Sequence, residues 1–240
     1  QWTWRDFRFD FKIPLFACFT RFAYRVNVHS NRYLIVQQEW LRKGLSKMLG
    51  VRPNKFIVAP PQRKMIEVNP EEVDKKCFTF FYASTPDCHK NFETLCKAAA
   101  LLEKEVGVGK FKVVLTIKGD ENKYAAWLKK NWGNVHSIEF AGFMSKECLY
   151  GHYQMADCLV FPSKVETWGL PITEFMEASG DKPMLLADLP YAHETAAGAS
   201  QVCFFNPSDP NELKERMKEI IENRCDALAS VPRQNIEEPK

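Results

Sequence analysis

From Cys77 onward, short apolar runs alternate with amphipathic stretches at a regular spacing. Cys77 to Ser84 (CFTFFYAS) reads as a strand, and Asn91 to Glu105 as a helix with Phe92, Leu95, Cys96 and Ala99 on one face. Phe111 to Ile117 (FKVVLTI) is the next strand, ended by Lys118-Gly119-Asp120, and Asn122 to Asn131 is helical. A third strand is predicted around Val135 to Phe143, after which Ser145 reads as the N-cap of a helix reaching Met155. Ala156 to Pro162 (ADCLVFP), Pro183 to Asp188 (PMLLAD) and Val202 to Phe205 (VCFF) supply three more strands, with a short helix from Tyr191 between the last two. The closing helix, Pro210 to Asn223, carries Leu213, Met217, Ile220 and Ile221 at helical spacing above a charged, solvated face. Six short apolar strands separated by helices predict an α/β protein with a doubly wound parallel sheet.

The pattern before Cys77 is different. Tyr33 to Gln37 reads as a strand, Trp40 to Leu49 as a helix ended by Gly50, and Lys55 to Gln62 as a strand breaking at a double proline. This is about one and a half α/β units, too few to cover both faces of a sheet. Residues 1–66 are therefore expected to be the remnant of a preceding α/β domain, with 67–76, polar and containing Pro70, as a linker. The main domain is expected over 77–226 and a tail over 227–240. Gln1 to Tyr24 mixes Trp2, Trp4, Phe7, Phe9, Phe11, Phe16, Phe19 and Phe22 with Arg5, Arg8 and Arg21. That mixture suggests a peripheral contact with a membrane surface, but no clean amphipathic period supports it. A place in the core of the preceding domain is the expectation.

Composition narrows the classes. At 240 residues and 45% hydrophobic, the chain can bury a substantial core. A net charge of +3, with acids and bases interspersed, leaves no nucleic-acid footprint. The eight cysteines form no C-x-x-C pair and several fall in apolar runs, as expected of reduced thiols in a cytoplasmic protein. The five histidines lack ligand spacing, and no run is long enough to span a bilayer. Gln1 in place of Met suggests part of a longer protein.

The candidate chemistry lies at the carboxyl ends of the strands, where open α/β sheets bind ligands. Phe161 to Ala178 (FPSKVETWGLPITEFMEA) runs from a strand through a polar loop into a helix expected to start at Pro171. Glu166 lies on that loop, and Glu174 is placed in the first helical turn. Carboxylates beside the amide-rich start of a helix make sense for a ligand carrying both phosphates and hydroxyls. Taken alone, each Glu is as readily an ordinary solvated or helix-start acid. Lys90, on the loop Thr85 to Lys90 after the first strand, could neutralise a diphosphate, though it reads equally as a surface lysine. The loop Ala141 to Ser145, with Phe143, could flank a base. Asp120 is expected to serve a helix start.

Three blocks together carry a resemblance: FYASTPDCHKNFETLCKAA, IEFAGFMSKECLYGHYQMADCLVFPS, and the long stretch from ETWGLPITEFMEA to NPSDPNELKERM. They resemble the C-terminal domain of retaining GT-B glycosyltransferases, most closely family 4, which includes capsule, O-antigen and lipid-glycan enzymes. Glu166 and Glu174 match that family's E-x7-E spacing, and Lys90-Asn91 stands at its phosphate motif. The match covers roughly residues 78–224, and YLIVQQEWLRKGL is similar to the end of the N-terminal, acceptor-side domain. The resemblance implies a Rossmann-like donor domain and transfer of a sugar, with retention, from a nucleotide-diphosphate sugar to a glycan or lipid-linked acceptor. Glu174 would bind the ribose, Glu166 the donor sugar, the amides of Trp168, Gly169 and Leu170 the phosphates or sugar, and Lys90 the leaving diphosphate. No metal and no separate cofactor are expected. The expected place is the cytoplasm, including the inner face of the membrane.

One departure stands out. An Arg expected some residues before the Lys is replaced by Ala83-Ser84-Thr85, with Lys118 and Lys164 as substitutes. Two alternatives are a sugar-nucleotide epimerase on the same scaffold and a non-catalytic nucleotide-sugar-binding subunit. With the acceptor side mostly outside the chain, transfer by this portion alone is expected to be poor.

Overall fold

The structure is a computed structural model; it describes residue 9 and residues 12–62 and 77–233, without the side chains of residues 12–18. The expected linker at 67–76 lies outside the described residues, as do Trp2, Trp4 and Phe7.

The main sheet has six strands: β3 (Phe78–Tyr82), β4 (Phe111–Leu115), β5 (Ile138–Phe140), β6 (Cys158–Phe161), β7 (Met184–Ala187) and β8 (Val202–Phe205). All pair in parallel, in the spatial order β5-β4-β3-β6-β7-β8. All four residues of β6 and of β7 are buried, as both-faced coverage of central strands requires. The order reverses between β3 and β6, which opens a crevice at their carboxyl ends.

Helices cover both faces: α3 (Phe92–Val106), α4 (Lys123–Trp132), α5 (Lys146–Met155), α6 (Leu170–Ser179), α7 (Pro190–Thr195) and α8 (Pro210–Ile221). On α3, Phe92, Leu95, Cys96, Ala99 and Leu102 are fully buried, and α8 packs on it through Leu213 and Met217. Side-chain caps start three helices: Asn122 accepts from the Ala125 amide, Ser145 from Cys148, and Asp209 from Asn211 and Glu212. Asp120 does not start α4; Asn122 holds that place because its side chain reaches the amide three residues on, and Asp120 pairs with Lys118 at 3.3 Å.

The N-terminal unit holds α1 (Lys12–Asn27), β1 (Leu34–Val36), α2 (Glu39–Leu49) and β2 (Phe56–Val58), with β1 and β2 parallel. Gly50 ends α2 in the left-handed region at φ 70°, as expected of a C-terminal glycine. α1 was not apparent from periodicity, because aromatic and basic residues occupy all sides of it. Phe19 and Phe22 are each 67% exposed in this chain, while Phe9 packs against Tyr124 and Trp127 at 5.4 Å.

Residues after 226 do not all hang free. Ala229 and Val202 exchange hydrogen bonds of 2.9 and 3.0 Å, and Val231 does the same with Gly198 and Ala199. This covers the end of edge strand β8, which would otherwise present open backbone groups.

Candidate active site

The loops after β3 and β6 are tied into one structure at the reversal point. The His89 carbonyl accepts from the Lys164 amide at 2.8 Å and from the Ser163 hydroxyl at 3.3 Å. Asn91 adopts φ 57°, a left-handed conformation that Asn tolerates better than most side chains. Its fully buried amide group donates to the carbonyls of Pro162 (2.9 Å) and Pro207 (2.7 Å), and its Oδ1 accepts from Thr94 at 2.8 Å. Tyr82, at the end of β3, donates to the Lys90 carbonyl at 2.7 Å, and Tyr191 of α7 donates to the Ser163 carbonyl at 2.7 Å. Burial foremost, with the nearby Glu166 charge adding to it, holds both phenols well above their ordinary pKa. Both therefore stay neutral donors.

This frame brings Lys90 and Glu166 together. Lys90 Nζ donates to Glu166 Oε1 at 2.6 Å, with the two side chains only 16% and 12% exposed. A charge-assisted bond at that distance, away from bulk water, is among the stronger polar contacts. The sequence placed both residues at the crevice but did not pair them.

The neighbouring turn follows from Gly169. It sits at φ 85° as the residue preceding α6, and an added Cβ would lie 3.2 Å from Ile172 Cδ1. The helix starts at Leu170, so Pro171 occupies its second position rather than the first. Glu174 consequently stands in the second turn and not the first; its partner is Tyr153 of α5, whose hydroxyl donates to Oε2 at 3.1 Å. The two glutamates thus answer to different neighbours. Trp168 is half-buried, with its indole N–H donating to Thr173 at 3.4 Å, and Leu170 is exposed. Phe143, on the loop between β5 and α5, is 94% exposed. Lys118 is bound to Asp120, whereas the Lys164 backbone is bonded to the loop that carries Lys90.

Residues of the N-terminal unit also reach this loop, and sequence reasoning missed them. Gln38, 1% exposed, donates to Thr195 Oγ1 at 2.7 Å and to the Tyr191 carbonyl at 3.2 Å. Thr195 in turn donates to the Trp168 carbonyl. Glu194 accepts from the amides of Glu39 and Trp40, both at 2.7 Å, and so caps α2 from across the boundary. A glutamine at the N-cap position of α2, making no cap bond of its own, was the one available signal.

The strand order and the crevice at its reversal define a doubly wound, Rossmann-like domain. Residues 63–238 match the family described as Glycosyl transferases group 1, and the chain belongs to that family. Among solved structures, the chain is similar to a sucrose-phosphate synthase from Thermosynechococcus elongatus (TM-score 0.69, 16% identity, 86% of this chain and 53% of that one). It is also similar to a TarM mutant of S. aureus solved with UDP, alpha-GlcNAc-glycerol and Fondaparinux (0.67, 15%, 82% and 38%). The third is Anabaena HepE solved with UDP and glucose (0.62, 16%, 83% and 58%). The chain thus spans between 38% and 58% of the length of these proteins. Comparison with curated proteins by sequence found no match.

Proposed function

We propose that this chain is the donor-binding part of a retaining family 4 glycosyltransferase, which moves a sugar from a nucleotide-diphosphate sugar to a glycan or lipid-linked acceptor. The observation that carries the reading is the Lys90–Glu166 contact at 2.6 Å, in the crevice where the strand order reverses. Two similar structures were solved with UDP, one with glucose and one with alpha-GlcNAc-glycerol, which suits such a donor.

In this reading the diphosphate of the donor takes over the Lys90 ammonium. That charge then meets the negative charge growing on the leaving phosphate, the kind of electrostatic contribution that dominates group transfer. Glu166, released, accepts hydrogen bonds from hydroxyls of the donor sugar. The amides of Trp168, Gly169 and Leu170 at the start of α6 face the phosphates or sugar, Glu174 binds the ribose hydroxyls, and Phe143 borders the base. The sugar leaves and is attacked on the same face, and no metal is required because Lys90 and the amides meet the charge. Such chemistry serves polysaccharide biosynthesis in the cytoplasm, with a peripheral membrane contact where the acceptor is lipid-linked. Among the described residues no helix is long and apolar enough to cross a membrane.

A second reading, a non-catalytic nucleotide-sugar-binding subunit, draws on the absent Arg: Lys118, one substitute, is already engaged by Asp120. A thermal-shift screen with UDP, GDP and their sugars tests donor binding. A ligand at 100 times its dissociation constant should add about 2.7 kcal/mol of stability; no shift with any of them rejects both readings. Glu166→Ala in the longer protein separates the two: loss of transfer supports the enzyme, and a wild type that binds donor without turnover supports the subunit.

A further inference from the structure

The net charge of +3 conceals a division along the chain. Residues 11–66 hold eleven Lys and Arg against a single acid, Glu39, so charges are interspersed only outside that stretch. Part of this excess converges. A cavity of about 950 Å³ opens in the N-terminal unit, lined by Arg32, Tyr33, Arg42, Arg52, Asn54 and Lys55 among others. These residues precede β1, lie on α2, or enter β2 through the turn Pro53–Lys55. The cavity therefore sits at the amino ends of β1 and β2. Gln38, which follows the carboxyl end of β1, is the residue that meets Thr195 and the Trp168 loop. The cavity and the Lys90–Glu166 crevice are separate places.

Among the described residues, only one of the cations in the cavity has a carboxylate partner. Arg42 is bonded to Glu39 at 2.6 and 2.9 Å, and Arg32 lies 5.5 Å from the centre of the Tyr33 ring. Arg52 and Lys55 have no carboxylate partner among the described residues. The carboxyl end of α2, at Gly50, offers about half a negative charge, too little for three cations. Gathering like charges around one concavity is unfavourable for the empty protein and raises the local concentration of anions. Two guanidinium forks and an ammonium suit a phosphate, which accepts paired N–H bonds from Arg and a point charge from Lys.

We propose that this cavity is a second phosphate-binding site, in which Arg32, Arg52 and Lys55 hold the phosphate of a phosphorylated ligand. The phosphate belongs to a lipid headgroup or to a soluble phosphate ester. The exposed Phe19, Phe22 and Val26 of α1, which ends five residues before Arg32, are compatible with the first source.

Calorimetric titration of inorganic pyrophosphate into the chain tests the site, with Lys90→Ala introduced to disable the donor crevice. Saturable binding by Lys90→Ala is expected, weakened at least about tenfold when Arg52→Gln and Lys55→Gln are added. No binding by Lys90→Ala, or binding that the two Gln substitutions leave unchanged, overturns the proposal. Circular dichroism checks that the variants fold; should the double Gln variant fail, Arg52→Lys and Lys55→Gln are measured singly, and unchanged affinity in both is equally fatal. Sedimentation with vesicles of phosphatidylglycerol and phosphatidylcholine, against phosphatidylcholine alone, separates the sources. Capture by the anionic vesicles that Arg52→Gln/Lys55→Gln abolishes assigns the headgroup, and pyrophosphate binding without capture assigns a soluble phosphate ester.

Discussion

Lys90 Nζ and Glu166 Oε1 lie 2.6 Å apart, joining the loops that leave β3 and β6 at the point where the strand order reverses. Each is the other's partner, so on the proposed function a donor would displace this ionic contact to form its own. The two residues should then have opposite effects on simple nucleotide binding. Glu166→Gln removes the competitor for Lys90 and should tighten binding of the bare nucleoside diphosphate by several-fold, while turnover of the full donor falls by about 100-fold or more. Lys90→Ala should weaken the nucleoside diphosphate and lower turnover together. Calorimetry with the diphosphate and initial rates with the sugar donor distinguish the two; equal loss of diphosphate affinity in both variants would show that the pair does not compete with phosphate.

Asn91 supports that pair from behind. Its side chain satisfies the carbonyls of Pro162 and Pro207 while its backbone holds φ 57°. Asn91→Ala takes the side-chain donor from the buried Pro162 carbonyl, leaves the Pro207 carbonyl with Thr94 alone at 3.1 Å, and places an ordinary residue in the left-handed region. The expected loss is about 2–5 kcal/mol, combining unmade hydrogen bonds with backbone strain. Asn91→Gly removes the same bonds but adopts the left-handed conformation without strain, and should recover about 1 kcal/mol of that loss. Urea denaturation of the two variants resolves the parts.

The sheet was legible because its signals are local. Four-residue apolar runs such as Cys158 to Phe161 and Met184 to Ala187 are buried on both faces and bounded by turn residues. The loops that carry Lys90, Glu166 and Gly169 could be placed for the same reason. The contacts between those loops could not, because they join residues far apart in sequence: 76 positions separate Lys90 from Glu166, and 157 separate Gln38 from Thr195. The start of α6 was misplaced by one residue because a proline suits either of the first two helical positions. α1 was missed because exposed aromatics erase the polar face that periodicity needs.

At the surface, Glu105 of α3 accepts from Lys214 of α8 at 2.8 Å and from Lys218. The hydrogen bonds from Lys214 and then Lys218 hold its carboxyl down from the usual 4.5 to about 2. A depressed carboxyl stabilises the fold above its unfolded-state value and loses that contribution as pH falls from about 4.5 towards 2. Wild type should therefore lose its thermal advantage over Glu105→Gln across that interval, and the two should converge near pH 2. The group is exposed, so the difference at neutral pH should be small and should shrink further in 1 M salt, roughly where the screening length is 3 Å. Melting temperatures against pH at two salt concentrations measure it; a gap that persists below pH 2 would assign the effect to packing.

The N-terminal unit communicates with the Trp168 loop through Gln38. This buried amide donates to Thr195, which donates to the Trp168 carbonyl, while Glu194 one residue earlier caps α2. The two contacts lie side by side but act differently. Glu194→Gln loses the charge and turns one of the two accepting oxygens into an NH2 facing an amide N–H, so the helix should weaken by about 1–2 kcal/mol with the loop preceding α6 unaltered. Gln38→Ala leaves Thr195 and the Tyr191 carbonyl short of a donor and frees the loop preceding α6. Its larger effect should fall on donor affinity, about three- to tenfold, since that loop presents the amides expected to face the ligand. Trp168 fluorescence and nucleotide-sugar titration of the two variants separate a stability defect from a loop defect. If Gln38→Ala lowers stability alone and leaves donor affinity unchanged, the hydrogen-bond chain holds the two units together without setting the loop.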